Sequence, residues 1–174
     1  PIFKELRDSK SYNAVELRQA YGRLVAAHVP LGIGIVTAAE INRGMNLDVA
    51  NRLAFTRALD NLIEANPSLA IDCVLIDGAN ITLTDPKFRV EQVPQGERHS
   101  MAIAAASVAA TFTQHSALCD LGKQFPGLGF EDHHGAGNKD HEARIRRNGL
   151  TPAHRTTFAP IKRLQLELGP SVDV

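Results

Sequence analysis

Residues 73–78 read CVLIDG, an apolar run that passes without a break into Asp77 and Gly78. Two readings meet at that junction. Asp-Gly is a favoured two-residue hairpin turn. The carboxyl end of a strand in an open α/β sheet is also where chemistry sits. The run itself, Ile71 to Ile76, is too short for a helix and predicts a buried strand.

Working outward, Asn13 can cap a helix that carries Leu17, Tyr21, Leu24 and Val25 on one face. The segment LGIGIVTA predicts a strand at 31–37, and its alternating glycines imply that another backbone approaches closely. Leu47, Ala50, Ala54, Ala58 and Leu62 stripe a further helix, punctuated by Asn66-Pro67. Downstream, FRVEQV at 88–93 alternates like a half-buried strand and stops at Pro94-Gln95-Gly96. MAIAAASVAATF at 101–112 is an alanine-crowded helix, apolar on nearly every side, which predicts a central helix packed against neighbours. FPGLGFEDHHGAGN at 125–138 is a loop. Asn138 caps a helix that stops at Asn148-Gly149, and Thr151-Pro152 is expected to open another. Helix, strand, helix, strand, strand and helices in that order predict an α/β domain.

Composition narrows the class. At 174 residues, 44% apolar and 22% charged, the chain fits one ordinary globular domain, residues 1–174. It holds no apolar run of the ~18 residues a membrane span needs. The start, PIFKELRDSK, has neither signal-peptide nor transit-peptide character. Cys73 and Cys119 lie in apolar contexts and read as buried free thiols in a reducing compartment, which places the protein in a cytoplasm. The formal net charge is zero, but between Lys139 and Arg163 seven basic residues face two acidic ones. Such a stretch is either a solvated helix face or a phosphate-contacting edge.

Three constellations bear on chemistry. Asp77 closes one strand and Glu97 follows another, and two acids from neighbouring strand ends can hold a hard cation such as Mg²⁺. The stretch EDHHGAGNKDH at 131–141, with His154 beyond, offers imidazole and carboxylate to zinc, but its spacing matches no familiar zinc motif. Ser107 sits within the alanine-rich helix, where a hydroxyl usually bonds a backbone carbonyl, and no G-x-S-x-G elbow or P-loop accompanies it.

In their order, these segments resemble ribonuclease HII, the type 2 ribonuclease H family. The matching pieces are DSK at 8–10, EIN with Asn46-Leu47, VLIDG at 74–78 and QGE at 95–97. They continue with IAAASVAA at 103–110, FPGLGF at 125–130, HHG…H at 133–141 and HRTTFAPIKR at 154–163. The resemblance implies a ribonuclease H-like fold, a mixed sheet flanked by helices. It also implies metal-dependent cleavage, with Mg²⁺ or Mn²⁺, of RNA in RNA–DNA hybrids or at ribonucleotides embedded in DNA. Asp77 and Glu97 match two of the family's four carboxylates. Lys10, His154, Arg155 and Lys162 match segments that contact nucleic acid.

The departures are specific. The family's N-terminal D-E-x-G-R-G segment, with two carboxylates and the first strands of the sheet, has no counterpart in the sequence. The expectation is that a preceding segment or a partner completes that sheet. Glu97 stands for an aspartate, Gln95 for a lysine, Ala136 for a tyrosine, and Gln114-His115 for Arg-Asp. A second reading follows from these losses: a catalytically degenerate nucleic-acid-binding or assembly protein that retains the fold.

Overall fold

The structure, a computed structural model, describes residues 6, 9–78, 87–132 and 138–169. The chain divides into two compact units, Pro1–Ile35 with Asn51–Thr113, and Val36–Ala50 with Gln114–Val174. The expected positions Asp8, His133, His134 and Ala136 lie outside the described residues.

Among the described residues of the first unit, a 3-10 turn, Ser9–Ser11, precedes helix α1, Ala14–Ala26. Asn13 caps α1 as predicted: its side chain accepts from the N–H groups of Val15 and Glu16, while Glu16 accepts from the Asn13 N–H. Leu17, Ala20 and Leu24 are buried against Ala105 and Val108, and Tyr21 stacks on Phe112 with ring centroids 4.2 Å apart. Val25, expected on the buried face, is 53% exposed. It lies one position past Leu24, about 100° further round the helix.

The strand predicted at 31–37 does not form; the segment is irregular up to Thr37. The implied close backbone is real, but it belongs to a helix. A Cβ on Gly32 would collide with the Ala58 carbonyl, and one on Gly34 with the Ala54 carbonyl. Those carbonyls lie in helix α3, Leu47–Ala65, which also hydrogen-bonds the segment through side chains. Asn61 Nδ2 donates to the Ile33 carbonyl at 2.7 Å and Arg57 to the Ile35 carbonyl at 2.5 Å. Two carbonyls that a neighbouring strand would have served are satisfied by side chains instead.

Strands β1, Cys73–Asp77, and β2, Arg89–Val93, pair in parallel with Cys73 opposite Arg89 and Asp77 opposite Val93. Of the mixed sheet expected, the described residues contain this one parallel pair. β1 is less buried than its apolar sequence predicts: Ile76 is 1% exposed but Leu75 36%. Helix α4, Met101–Gln124, likewise buries one face. Ile103, Ala104, Ala105, Val108 and Ala109 are buried, while Ala102, Ala106 and Ala110 are exposed.

The second unit holds helix α2, Ala38–Asn42, started by a Thr37/Glu40 capping box. The division between the units falls within α3 and α4. In the second unit, helices α5, Lys139–Asn148, and α6, Ala159–Leu168, pack over Leu128, Phe130, Ile145 and Leu164. Asn138 caps α5 and Gly149 ends it at φ 84°, as the sequence predicts. The helix expected to open at Thr151-Pro152 starts later: 151–158 is a run of turns, and Pro160 occupies the first turn of α6. Among the described residues, no helix is long and apolar enough to cross a membrane. Cys73 and Cys119 are free thiols, half-buried rather than buried.

Candidate active site

Asp77 is the last residue of β1 and is exposed, so its carboxylate lies at the carboxyl end of the parallel pair. The turn after β2 reaches back to it. Gln95 adopts φ 55°, uncommon for a residue with a side chain, and this lets the chain fold into the 3-10 turn Gly96–Arg98. The Gly96 N–H then donates to Asp77 Oδ1 at 2.9 Å. Gly96 is buried, and a Cβ there would press on the terminal methyl of Ile103. The hairpin reading of Asp77-Gly78 therefore fails: β1 is paired in parallel and its terminal carboxylate is engaged by the turn beyond β2.

Glu97, half-buried, follows immediately in that turn and is bracketed from two other segments. The Ser9 N–H donates to Oε2 at 3.2 Å, the Ser9 hydroxyl lies 3.3 Å from Oε1, and the Ser107 hydroxyl donates to Oε1. The two serine oxygens are 2.8 Å apart, so the hydroxyls and the carboxylate form one small network. Ser107 is thus not bonded to its own helix, contrary to the sequence expectation. A charged acceptor makes a stronger partner than a carbonyl already used within the helix. Lys10, the residue after Ser9, is exposed on the same 3-10 turn.

Oxygen donors of this kind suit a hard divalent cation, and Mg²⁺ typically takes one or two protein carboxylates with waters and substrate phosphates completing its shell. Each carboxylate here retains acceptor capacity beyond the bonds described. No group of three or more histidine, cysteine, aspartate or glutamate side chains converges among the described residues. Asp77 and Glu97 match that oxygen chemistry and, being two, fall short of a protein cage.

The second unit carries the remaining expected residues. His154 is 3% exposed, its ring set 5.3 Å from Phe130 and stacked 5.4 Å from His141. Its Nδ1 accepts from the Thr151 N–H at 3.0 Å, and His141 Nδ1 lies 3.1 Å from the Leu128 carbonyl. Both histidines pack in the interior, so His154 offers no exposed edge to a phosphate. Arg155 is half-buried, with its guanidinium 3.9 Å over the Phe158 ring. Burial lowers its pKa from the ordinary arginine value. Lys162 is exposed on α6.

The excess of positive charge between 139 and 163 divides by residue. Arg144 pairs with Asp132 and Asp140, and Arg146 and Arg163 both pair with Glu142 and Glu167. These three are the solvated helix face of the first alternative. The hydrogen bond that Arg144 donates to Asp132 holds the arginine's pKa above its usual value. Lys139, Arg147, Arg155 and Lys162 are the other four, and of these Arg155 and Lys162 are the cations in the segment expected to form a phosphate-contacting edge.

Sequence reasoning missed three side chains that organise these groups: Ser9 and Ser107 around Glu97, and Asn42 against the 154–156 segment. The one available signal was a lone hydroxyl inside IAAASVAA.

The chain is 33% identical over 165 residues to a protein named ribonuclease HII from Coxiella burnetii, covering 95% of this chain and 78% of that one. It is 35% identical over 155 residues to ribonuclease HII of Leuconostoc mesenteroides, covering 89% of this chain and 58% of the relative. A Geobacillus ribonuclease HII is 33% identical and is covered over 54% of its length, so the chain spans little more than half of these two relatives. The crystal structure of ribonuclease H2 from Pyrococcus horikoshii OT3 matches with a TM-score of 0.64 at 16% identity, over 94% of this chain and 81% of that one. That likeness shows the ribonuclease H-like fold. No protein-family model matches.

Proposed function

The chain belongs to the ribonuclease HII family, and from that premise we propose that it hydrolyses the RNA strand of RNA–DNA hybrids or cuts at ribonucleotides embedded in DNA. We take residues 1–174 as one ribonuclease HII-like domain, in line with a relative matched over 95% of the chain. The supporting observation is the two carboxylates, Asp77 at the end of β1 and Glu97 in the turn after the parallel strand β2, each fixed by hydrogen bonds from other segments.

In this reading Asp77 and Glu97 hold Mg²⁺ or Mn²⁺. A cation bound there supplies the Lewis acidity that phosphodiester hydrolysis needs. The protein's own part is positioning. The Gly96 N–H fixes the orientation of Asp77, and Ser9 with Ser107 fixes that of Glu97, so neither carboxylate reorganises when charge arrives. Glu97 is one methylene longer than the family's aspartate, and it is as a glutamate that it meets the two serines. Lys10, Arg155 and Lys162 contact backbone phosphates, which hold the duplex without reading its sequence. His154 serves from the interior by supporting the backbone of Arg155.

The test is cleavage of a labelled RNA–DNA hybrid, and of duplex DNA with one ribonucleotide, in Mg²⁺ or Mn²⁺. Asn at 77 still accepts from the Gly96 N–H, so Asp77→Asn should leave Tm within about 2 °C. It should lower cleavage by roughly 100-fold or more. Wild-type cleavage insensitive to Asp77→Asn would remove that residue from the site. Salt-sensitive binding with no cleavage under any divalent cation would establish the non-catalytic alternative.

A further inference from the structure

The side chain of Asn42 grips the chain on both sides of Arg155. Its Nδ2 donates to the His154 carbonyl at 2.9 Å, and its Oδ1 accepts from the Thr156 N–H at 2.8 Å. These bonds join residues 112 and 114 positions apart. They use donor and acceptor together, as a neighbouring strand would. Three further restraints act on the same residue. His154 is locked in the stack of Phe130 and His141; the Phe158 N–H donates to the Arg155 carbonyl at 3.0 Å; and the Phe158 ring lies under the guanidinium. Asn42 itself is the last residue of α2, and its neighbour Ile41 is 7% exposed, so the clamp is built on a fixed base.

We propose that Asn42 is a positioning residue for the Arg155 guanidinium, fixing it for phosphate contact by clamping the peptide groups that flank it. The inference rests on the reading of Arg155 as a phosphate contact. An arginine fork binds phosphate through directional N–H groups, so restricting its backbone beforehand removes ordering that binding would otherwise require. The amide is matched to the task. Aspartate at position 42 would keep the acceptor for Thr156 but present a second oxygen to the His154 carbonyl. Alanine would leave both groups unserved.

The experiment measures binding of the whole chain to a duplex DNA containing one ribonucleotide, without divalent cation, across a range of salt concentrations. Arg155→Ala should weaken binding on the order of five- to tenfold and reduce the salt slope by about one. Asn42→Ala should do the same to within about twofold, and Asn42→Asp should fall between Asn42→Ala and wild type. The double variant Asn42→Ala/Arg155→Ala should be no weaker than Arg155→Ala alone, because the two residues act through one contact. Additive losses in the double variant would overturn the proposal, as would an unchanged salt slope in Asn42→Ala beside a reduced one in Arg155→Ala. If Arg155→Ala itself binds like wild type, the phosphate reading of Arg155 fails first and takes the inference with it. A loss of fold in Asn42→Ala, seen as lost near-ultraviolet circular dichroism, passes the decision to Asn42→Asp: binding equal to wild type overturns the two-sided clamp.

Discussion

The acidic strand end of the first unit and the basic segment of the second are held by opposite means. Asp77 is exposed and Glu97 half-buried, and both owe their positions to hydrogen bonds from Gly96, Ser9 and Ser107. Arg155 owes its position to a buried histidine in an aromatic stack, with the Asn42 clamp outside it. Polar bonds to a partly solvated carboxylate contribute little net stability but set direction sharply. A buried ring contributes stability first and direction only through the chain it anchors. Mutations at the first region should therefore separate chemistry from stability, and a mutation of the buried ring that anchors the second should not.

The largest effect on stability is expected from His154→Ala. Removing a buried ring leaves a cavity beside Phe130 and His141. The cost should be about 3 kcal/mol, near the low end for deleting a large buried side chain. For a chain of this size that corresponds to a fall in Tm of roughly 6–12 °C, read by calorimetry. Hybrid binding should weaken with it, since Arg155 loses its anchor. A Tm within about 2 °C of wild type would break the comparison, because the basic segment would then not depend on the stack.

Ser107→Ala is the intermediate case. It removes one hydroxyl from the carboxylate network, and the half-buried Glu97 keeps the bonds from Ser9. The stability cost should be about 1–2 kcal/mol, a few degrees in Tm. Cleavage should fall further than that, by roughly 10- to 100-fold, since small displacements of a catalytic group are costly. An equal fall in Tm with cleavage unchanged would make the serine bracket a packing feature and not a device for aiming Glu97.

How much of this was legible in advance differs between the same two regions. CVLIDG predicted β1, and an apolar run ending on a carboxylate predicted the place of Asp77. Glu97 was legible from its offset after β2. What holds Glu97 was not, because Ser9 and Ser107 lie 88 and 10 residues away and meet it only through tertiary packing. The strand misread at 31–37 has a similar cause: β-branched residues and glycines suit a pleated neighbour, yet the carbonyl partners came from Arg57 and Asn61 on a helix. His154 was readable as belonging to the basic segment but not as buried, since nothing local signals that Phe130 and His141 enclose it.

The smallest effect on stability, and the sharpest contrast with His154, is expected at Lys162. It is exposed on α6, three residues after the first helical residue, Ala159. A cation near a helix N-terminus opposes the helix dipole by a few tenths of a kcal/mol, and alanine has the higher helix propensity. Lys162→Ala should therefore leave Tm unchanged or raise it slightly. Its buried neighbour Leu164, 0% exposed, keeps α6 docked in either variant. If Lys162 contacts phosphate, the same substitution should weaken hybrid binding about equally across sequences and reduce the salt slope by about one. A lowered Tm with an unaltered slope would reverse the assignment, making Lys162 part of the scaffold. A slope reduced with Tm intact would mark a cation that the helix carries against its own preference, for the sake of the nucleic acid.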